Sequence, residues 1–494
     1  MSSQTHTIII GAGPAGLTSG YLLAKKGYKV TILEADEKYV GGISRTESLK
    51  GFYFDIGGHR FFSKSKEVED LWTELLPNDM LDRPRSSRIY YNNKFYAYPL
   101  KAFESLFNLG IMESILCVLS YLKTNLFPIP NPKNFEDWVT NQFGKRLFSI
   151  FFKTYTEKVW GMDTKDISAD WAAQRIKGLS LSSAIWNAIK PKSKNKDKTK
   201  IIKTLIDSFR YPRRGPGMMW EEAATRIQSL GGEIKMGVFV NKLELDGKNW
   251  KVSGTMKNGE AISFEGDQVI SSAPMRELFK AISKPAVSEK ALHSANSLRY
   301  RDFLTVALVV KEKHLFDDNW IYIHDPSVKV GRIQNFKSWS PEMVPDPNYN
   351  CYGLEYFCFE GDGLWVSSDE NLVELAKQEI VKLGLAELND IKEGFVVRQK
   401  KAYPVYDDAY QSHIDVLKSE IKEKYKNLHL VGRNGMHKYN NQDHAMMTAM
   451  LTVENIISDS ETYDVWNVNQ DAEYHEGGEP GKINIEERLV PQKV

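Results

Sequence analysis

Cysteine is scarce: Cys117, Cys351 and Cys358 are the only three in 494 residues. They are odd in number and far apart in two of the three spacings, so no disulfide scaffold or zinc site follows from them; Cys351 and Cys358 could touch across a hairpin, but buried free thiols are expected. No apolar run is long enough for a comfortable membrane span. The greasiest stretch, Ser105 to Leu122, carries Glu113 near its middle and reads as a buried or amphipathic helix. Excess charge is missing too. The 65 Lys+Arg and 64 Asp+Glu leave a formal net charge of +1, which gives no global reason to expect nucleic acid or stable membrane insertion. The N-terminus, MSSQTHTIIIGAG, lacks the basic region and long apolar stretch of a secretory signal. A cytoplasmic enzyme of two or three domains is expected.

The first fifty residues are the most specific part of the chain. In HTIIIGAGPAGLTSGYLLAKKGYKVTILEA, Ile8 to Ile10 form a short apolar strand, a helix follows to about Lys26, and a second strand from Lys29 ends at Glu34. Gly11, Gly13 and Gly16 stand between strand and helix as GxGxxG. There the first glycine makes a tight turn, the second lets a pyrophosphate reach bare backbone, and the third lets helix and sheet pack closely. The helix N-terminus supplies N–H groups for phosphate. Glu34, 23 residues after Gly11, lies where a carboxylate accepts ribose hydroxyls. The spacing predicts a dinucleotide site and leaves FAD and NAD both open.

The α/β pattern returns around residues 210–280 and again at 427–460. The fold expected is therefore α/β: a Rossmann-like, three-layer dinucleotide domain built from residues 1–85, 210–280 and 427–460. A helical domain is inserted at 101–209. An antiparallel-sheet substrate domain takes 86–100 and 281–426, because "RDFLTVALVVKEK" and "CYGLEYFCFE" alternate apolar and polar residues, which predicts one solvated or ligand-facing side. Six lysines between Lys190 and Lys200 alternate with other residues in a solvated loop, and residues 461–494 form a C-terminal tail.

After Glu34 the chain adds Gly41, Gly42 and Arg45, then FDIGGHRFFSK, which sets His59 directly behind Gly57 and Gly58. This pattern resembles the FAD-binding half of the flavin amine oxidase superfamily, which includes protoporphyrinogen oxidases, carotene desaturases and UDP-galactopyranose mutases. The resemblance implies FAD. Arg45 would approach its pyrophosphate, Gly57, Gly58 and His59 would lie against the isoalloxazine, and the backbone of Val240 would lie near the adenine.

A second stretch narrows the resemblance. GRNGMHKYNNQDHAMMTAMLTVENI, from Gly432 to Ile456, is similar to the C-terminal flavin motif of eukaryotic-type UDP-galactopyranose mutases, with a loop two residues shorter. Arg433, Tyr439, Asn441, Gln442, Asp443 and His444 fall on its positions. By the same resemblance Arg175 grips the substrate diphosphate, Tyr403 contacts it, and the second diphosphate cation falls on Lys311 or on Arg332 of the next strand. His59 would position the ring and relay a proton. The implied reaction interconverts pyranose and furanose forms of a UDP-hexose, with N5 of the reduced flavin taking the anomeric carbon. NAD(P)H or another reductant would supply the reduced state. The alternative is an FAD-dependent oxidoreductase of the same superfamily, acting on an amine, a porphyrinogen or a polyene.

Overall fold

The computed structural model describes residues 5–98, 100–167, 169, 208–407 and 409–468. At its centre lies a five-stranded parallel sheet in the order Leu428–Leu430, Gln268–Ser271, His6–Ile10, Lys29–Leu33, Glu233–Lys235. Alternation along the first strand decides what covers each face. Ile9 points to a helical layer with Leu17 of Pro14–Lys25, Trp220 and Ile227 of Gly217–Ser229, and Met446 and Met450 of Gln442–Ser458. Ile8 and Ile10 point the other way, into a cluster with Val238, Leu243, Trp250 and Val252. Those side chains belong to a four-stranded sheet in the order Ala261–Gly266, Asn249–Met256, Val238–Asp246, Ile282–Lys284. Helices, parallel sheet and meander make three layers.

The second body is a seven-stranded sheet, ordered Ile391–Pro404, Tyr300–Lys311, Tyr349–Cys358, Arg332–Asn335, Trp320–Ile323, Ser87–Tyr91, Lys94–Ala97. Every pairing in it is antiparallel except that of Trp320–Ile323 with Ser87–Tyr91. Asn92 and Asn93, with φ of 49° and 57°, make the left-handed two-residue turn between its last two strands. The expected open face is absent from its centre. Leu304, Val306 and Leu308 pack against Leu372, Ala376 and Ile380 of the helix Asp369–Lys382, while Ala307 and Val309 meet Phe52, Phe54 and Trp339 on the opposite side. Two covers explain why almost all of Tyr300–Lys311 is buried. All three cysteines are buried free thiols.

The two bodies are joined by the hairpin Thr46–Leu49/Phe52–Asp55 and by the strand Ser208–Pro212, which pairs with Met80–Pro84. Short helices between Ala102 and Trp160 form a further layer beside the last strands of the large sheet, where Ile89 and Tyr96 pack on Leu147, Ile150 and Phe151.

The tightest backbone approach in the central sheet lies at its first turn. A Cβ on Gly16 would stand 1.9 Å from the carbonyl oxygen of Gly11. Gly16→Ala is expected to force the first helix off the sheet, at a cost of about 1–3 kcal/mol for such overpacking. Urea denaturation would show a lower midpoint, and the purified variant should carry less flavin.

Candidate functional site

The glycines after the first strand build a cradle. Gly11 has φ +95°, its N–H donates to the Leu33 carbonyl at 2.8 Å, and a side chain there would strike Ser272 Oγ at 2.4 Å. Gly13 differs: a Cβ would meet nothing within 4 Å, so its backbone borders open space. A second glycine turn lies across it. The Gly41 N–H donates to the Ala12 carbonyl at 2.7 Å, and a Cβ on Gly42 would come 3.4 Å from Gly13 Cα. Two bare backbone segments thus face one another at the start of Pro14–Lys25, where helix N–H groups favour an anion.

Glu34 closes the cradle. Its carboxylate accepts from the Ala12 N–H at 2.5 Å and the Asp36 N–H at 2.9 Å, and burial raises its pKa. Arg45 bends back over the second turn, donating to the Gly42 carbonyl at 3.1 Å and to Gln399 at 2.6 Å while pairing with Glu47. Val240 is half-buried two residues beyond Val238, whose N–H donates to the Glu34 carbonyl at 2.8 Å. Gly432, with φ +79°, sits on the other side of the loop, where a Cβ would stand 3.0 Å from that of Ala15. The open backbone at Gly13, the opposed glycine turns and the ribose-side carboxylate fit the pyrophosphate and ribose of a dinucleotide.

The other end of the site is a pocket between the two bodies. Gly57, Gly58 and His59 form one wall, Arg332 and Tyr403 a second, and Arg433, Tyr439, Asn441, Gln442 and Asp443 a third. The wall at Gly57 is held by Asp55, which accepts from the Thr46 hydroxyl at 2.9 Å and from the Tyr211 hydroxyl. A Cβ on Gly58 would stand 2.9 Å from Gln334 Nε2. Tyr403 and Tyr439 stack at 5.5 Å with 14° between their planes, and the Arg433 guanidinium lies over both rings at 5.3 and 5.2 Å. Arg433 is fixed by the carbonyls of Asn440 and Ala402. Gln442 donates to the Arg60 carbonyl at 3.2 Å, and its Oε1 is buried without a partner. An acceptor left unsatisfied at the first turn of a buried helix is what a ligand carrying a donor would complete.

One expectation changes. Lys311 is not in the pocket. Arg301, on the same strand, pairs with Tyr403, and Lys311 pairs with Tyr349 ten residues on, which puts it about 33 Å away at ~3.3 Å per residue. Arg332 is the cation the sheet delivers, and its guanidinium is paired with the fully buried Glu355. His59 lines the pocket. Burial, with smaller contributions from Arg433 and Arg332, pushes its pKa down to about 4, and its Nε2 lies 2.8 Å from the Ile56 carbonyl oxygen. It is a neutral, positioned imidazole near pH 7. Arg175 lies outside the described residues.

The pocket also takes in Arg60, Phe62, Trp320, Tyr322, Gln334 and Trp339, none of which was assigned to the site from sequence. A signal existed for four of them. Arg60 follows His59 directly, Gln334 stands two residues after Arg332 on one strand face, and Trp320 and Tyr322 share a face of "NWIYIHD".

Residues 14–456 match the family model described as flavin containing amine oxidoreductase. The chain belongs to that family. It is similar to L-amino acid oxidase bordonein-L of Crotalus durissus terrificus, with 24% identity over 333 residues, 64% of this chain and 60% of that protein. It spans, then, about three-fifths of that relative's length. dTDP-fucopyranose mutase of Escherichia coli is 28% identical over 182 residues, 34% of this chain and 44% of that one. Among solved structures, a reduced UDP-galactopyranose mutase superposes with a TM-score of 0.80 at 21% identity, covering 95% of this chain and 96% of the other. The fold is that of the superfamily, and the cradle fits its FAD.

Asp55 makes the wall at Gly57 pH-sensitive. Burial raises its pKa from 3.8 to about 7, against the opposing bonds from Tyr211 and Thr46. The folded protein therefore keeps the proton to a higher pH than the unfolded chain does. Its contribution to stability is full below pH ~4, falls as pH rises toward ~7, and is level above that. Asp55→Asn should remove this slope. The melting temperature of the wild type minus that of the variant is expected to drop between pH 4.5 and 7.5; a constant difference would place the proton elsewhere.

Proposed function

We propose that the chain is a flavin-dependent enzyme whose substrate is an anion held beside the Gly57–His59 wall, and that this substrate is a nucleotide-linked sugar whose ring it isomerises. One observation carries the reading. Three guanidiniums, Arg60, Arg332 and Arg433, line the pocket against one lining carboxylate, Asp443, with Glu355 behind Arg332. That balance attracts a diphosphate, opposes a cationic amine, and would have to be desolvated under a polyene. The dTDP-fucopyranose mutase likeness and the resemblance of the Gly432–Ile456 stretch support the same choice.

When bound, reduced FAD supplies a nucleophilic centre or a store of two electrons. The work left to this chain's own residues is positional and electrostatic. The planar guanidinium of Arg332, held by Glu355, presents donors to an oxygen anion in a fixed plane. The stacked Tyr403 and Tyr439 cover one side of the pocket, with Arg433 held across their rings. Gly57 and Gly58 leave bare backbone where a flat ring must approach, and His59, neutral and placed by Ile56, borders that surface.

The second reading is net oxidation, which the family's description and the amino acid oxidase relatives favour. An L-amino acid also brings a carboxylate that these arginines would receive, so the pocket's charge alone does not separate the two. The redox balance does. Enzyme reduced with dithionite and incubated anaerobically with UDP- and dTDP-pyranoses is expected to give a furanose isomer and end with its flavin still reduced. Turnover of the oxidised enzyme with L-amino acids or amines, one oxygen consumed per product and no isomer formed, would instead establish the oxidase.

Arg332 offers a narrower check. Arg332→Lys keeps a charge opposite Glu355 but loses the planar pair of donors. It should retain flavin and weaken nucleoside diphosphate binding by ~1.5–3 kcal/mol, readable by calorimetry. Unchanged affinity would exclude Arg332 from phosphate recognition.

A further inference from the structure

The greasy stretch near residue 115 forms two helices, Ala102–Leu109 and Ile111–Leu126, broken at Gly110. The second is built inside out. Its inward or half-buried positions are Glu113, Ser114, Cys117, Ser120, Tyr121 and Thr124, while most of its large aliphatic residues face outward. Ile111 is 84% exposed, Met112 74% and Leu126 72%, and the patch continues to Phe107 at 87% and Phe127 at 76%. A helix on a water-facing surface has the opposite pattern. The polar inward side is satisfied. Arg146, itself exposed, pairs with the half-buried Glu113, and Ser114 donates to the Gly110 and Leu106 carbonyls. The outward apolar face is therefore not a helix rotated out of place.

The rim of this face is basic. Lys94 reaches the Asn108 carbonyl at 2.6 Å, which places it at the break between the helices. Lys101 precedes the first helix, Lys123 is exposed on the apolar face itself, and Lys145 follows Gly144, which packs on the backbone of Tyr121. Glu104 is the one acidic residue of the two helices on the outer side. We infer that this surface docks on an anionic phospholipid membrane, lying in the interface with its aliphatic side chains among the acyl chains and its lysines at the headgroups. An interfacial helix needs that combination of apolar face and lysine. A second copy of the chain meets the patch less well, because a two-fold contact would bring one lysine rim against another. Among the described residues no helix is long and apolar enough to cross a bilayer, so the attachment is to one leaflet.

The test uses the full-length, flavin-loaded protein and sedimentation with vesicles of phosphatidylcholine alone or with one quarter phosphatidylglycerol. The bound fraction should be at least tenfold higher on the anionic vesicles and should fall as salt rises. A double variant, Ile115→Glu with Leu119→Glu, should return to the vesicle-free level while keeping its flavin absorbance and melting temperature. Lys123→Glu with Lys145→Glu should lower binding to anionic vesicles only. Absence of wild-type binding at low salt would overturn the inference. So would a wild-type oligomer that Leu119→Glu converts to monomer, since the face would then belong to a second copy. A melting temperature lowered by several degrees in the Ile115/Leu119 variant would also overturn it, by showing those side chains covered within the folded chain.

Discussion

The distance between Gly16 and the Gly11 carbonyl leaves no room for even a methyl group, and much of the molecule is arranged around that contact. Because the first helix touches the sheet there, its N-terminus points across the end of the strand instead of past it. The space over Gly13 stays open only because Gly41 and Gly42 meet it with backbone. Glu34, at the end of the neighbouring strand, is then close enough to hold the Ala12 amide. Each step depends on the one before. The helix Gln442–Ser458 packs on the same first helix, so the far wall of the pocket is referred to the same contact.

Burial of charge is the second constraint. Arg332 and Glu355 sit on adjacent strands and face each other directly in register. Removing either partner would strand a charge in the core, so the pair fixes the guanidinium more firmly than hydrogen bonding alone could. The same low polarity that makes that pair rigid keeps His59 neutral and holds a proton on Asp55 to an unusually high pH. The pocket thus combines arginines that cannot lose charge with an imidazole that does not gain it near neutrality. The group beside this pocket that changes protonation near neutrality is Asp55, behind the Gly57 wall.

Legibility in the sequence followed chain distance. The GxGxxG loop and Glu34 were legible from backbone spacing, whereas Gly57-Gly58-His59 and residues 441–443, each a contiguous motif, were placed by their resemblance to a family, and all of them border the cradle or the pocket. Arg332 against Lys311 could not be decided, because that choice is a matter of strand register. The two lysine and arginine candidates lie on different strands, and only the pairing of Arg301 with Tyr403 shows which end of Tyr300–Lys311 borders the site. Of the two alternatives for the large sheet, a solvated or a ligand-facing side, the strands that carry Trp320, Arg332 and Tyr403 do face the pocket, but the centre of the sheet is not solvated. Thr305, at the centre of Tyr300–Lys311, is fully buried, because the hairpin through Phe52 and Phe54 and the helix at Leu372 arrive from elsewhere in the chain to cover the middle of that strand.

Net charge misled in another way. A chain with 65 basic and 64 acidic residues looks electrically indifferent. Folding separates what the average cancels: guanidiniums gather in the pocket, and lysines gather around the helix Ile111–Leu126. Field lines from a cleft with low-dielectric walls are focused, so three arginines in a pocket act on a ligand more strongly than the same number spread over the surface. On an open face the effect is weaker and screened over ~8–10 Å. There the lysines work only because an apolar surface lies among them, so each contact with an anionic headgroup adds to buried hydrocarbon. Charges of one sign thus yield, in one enclosed place and one open place, two different preferences for anions.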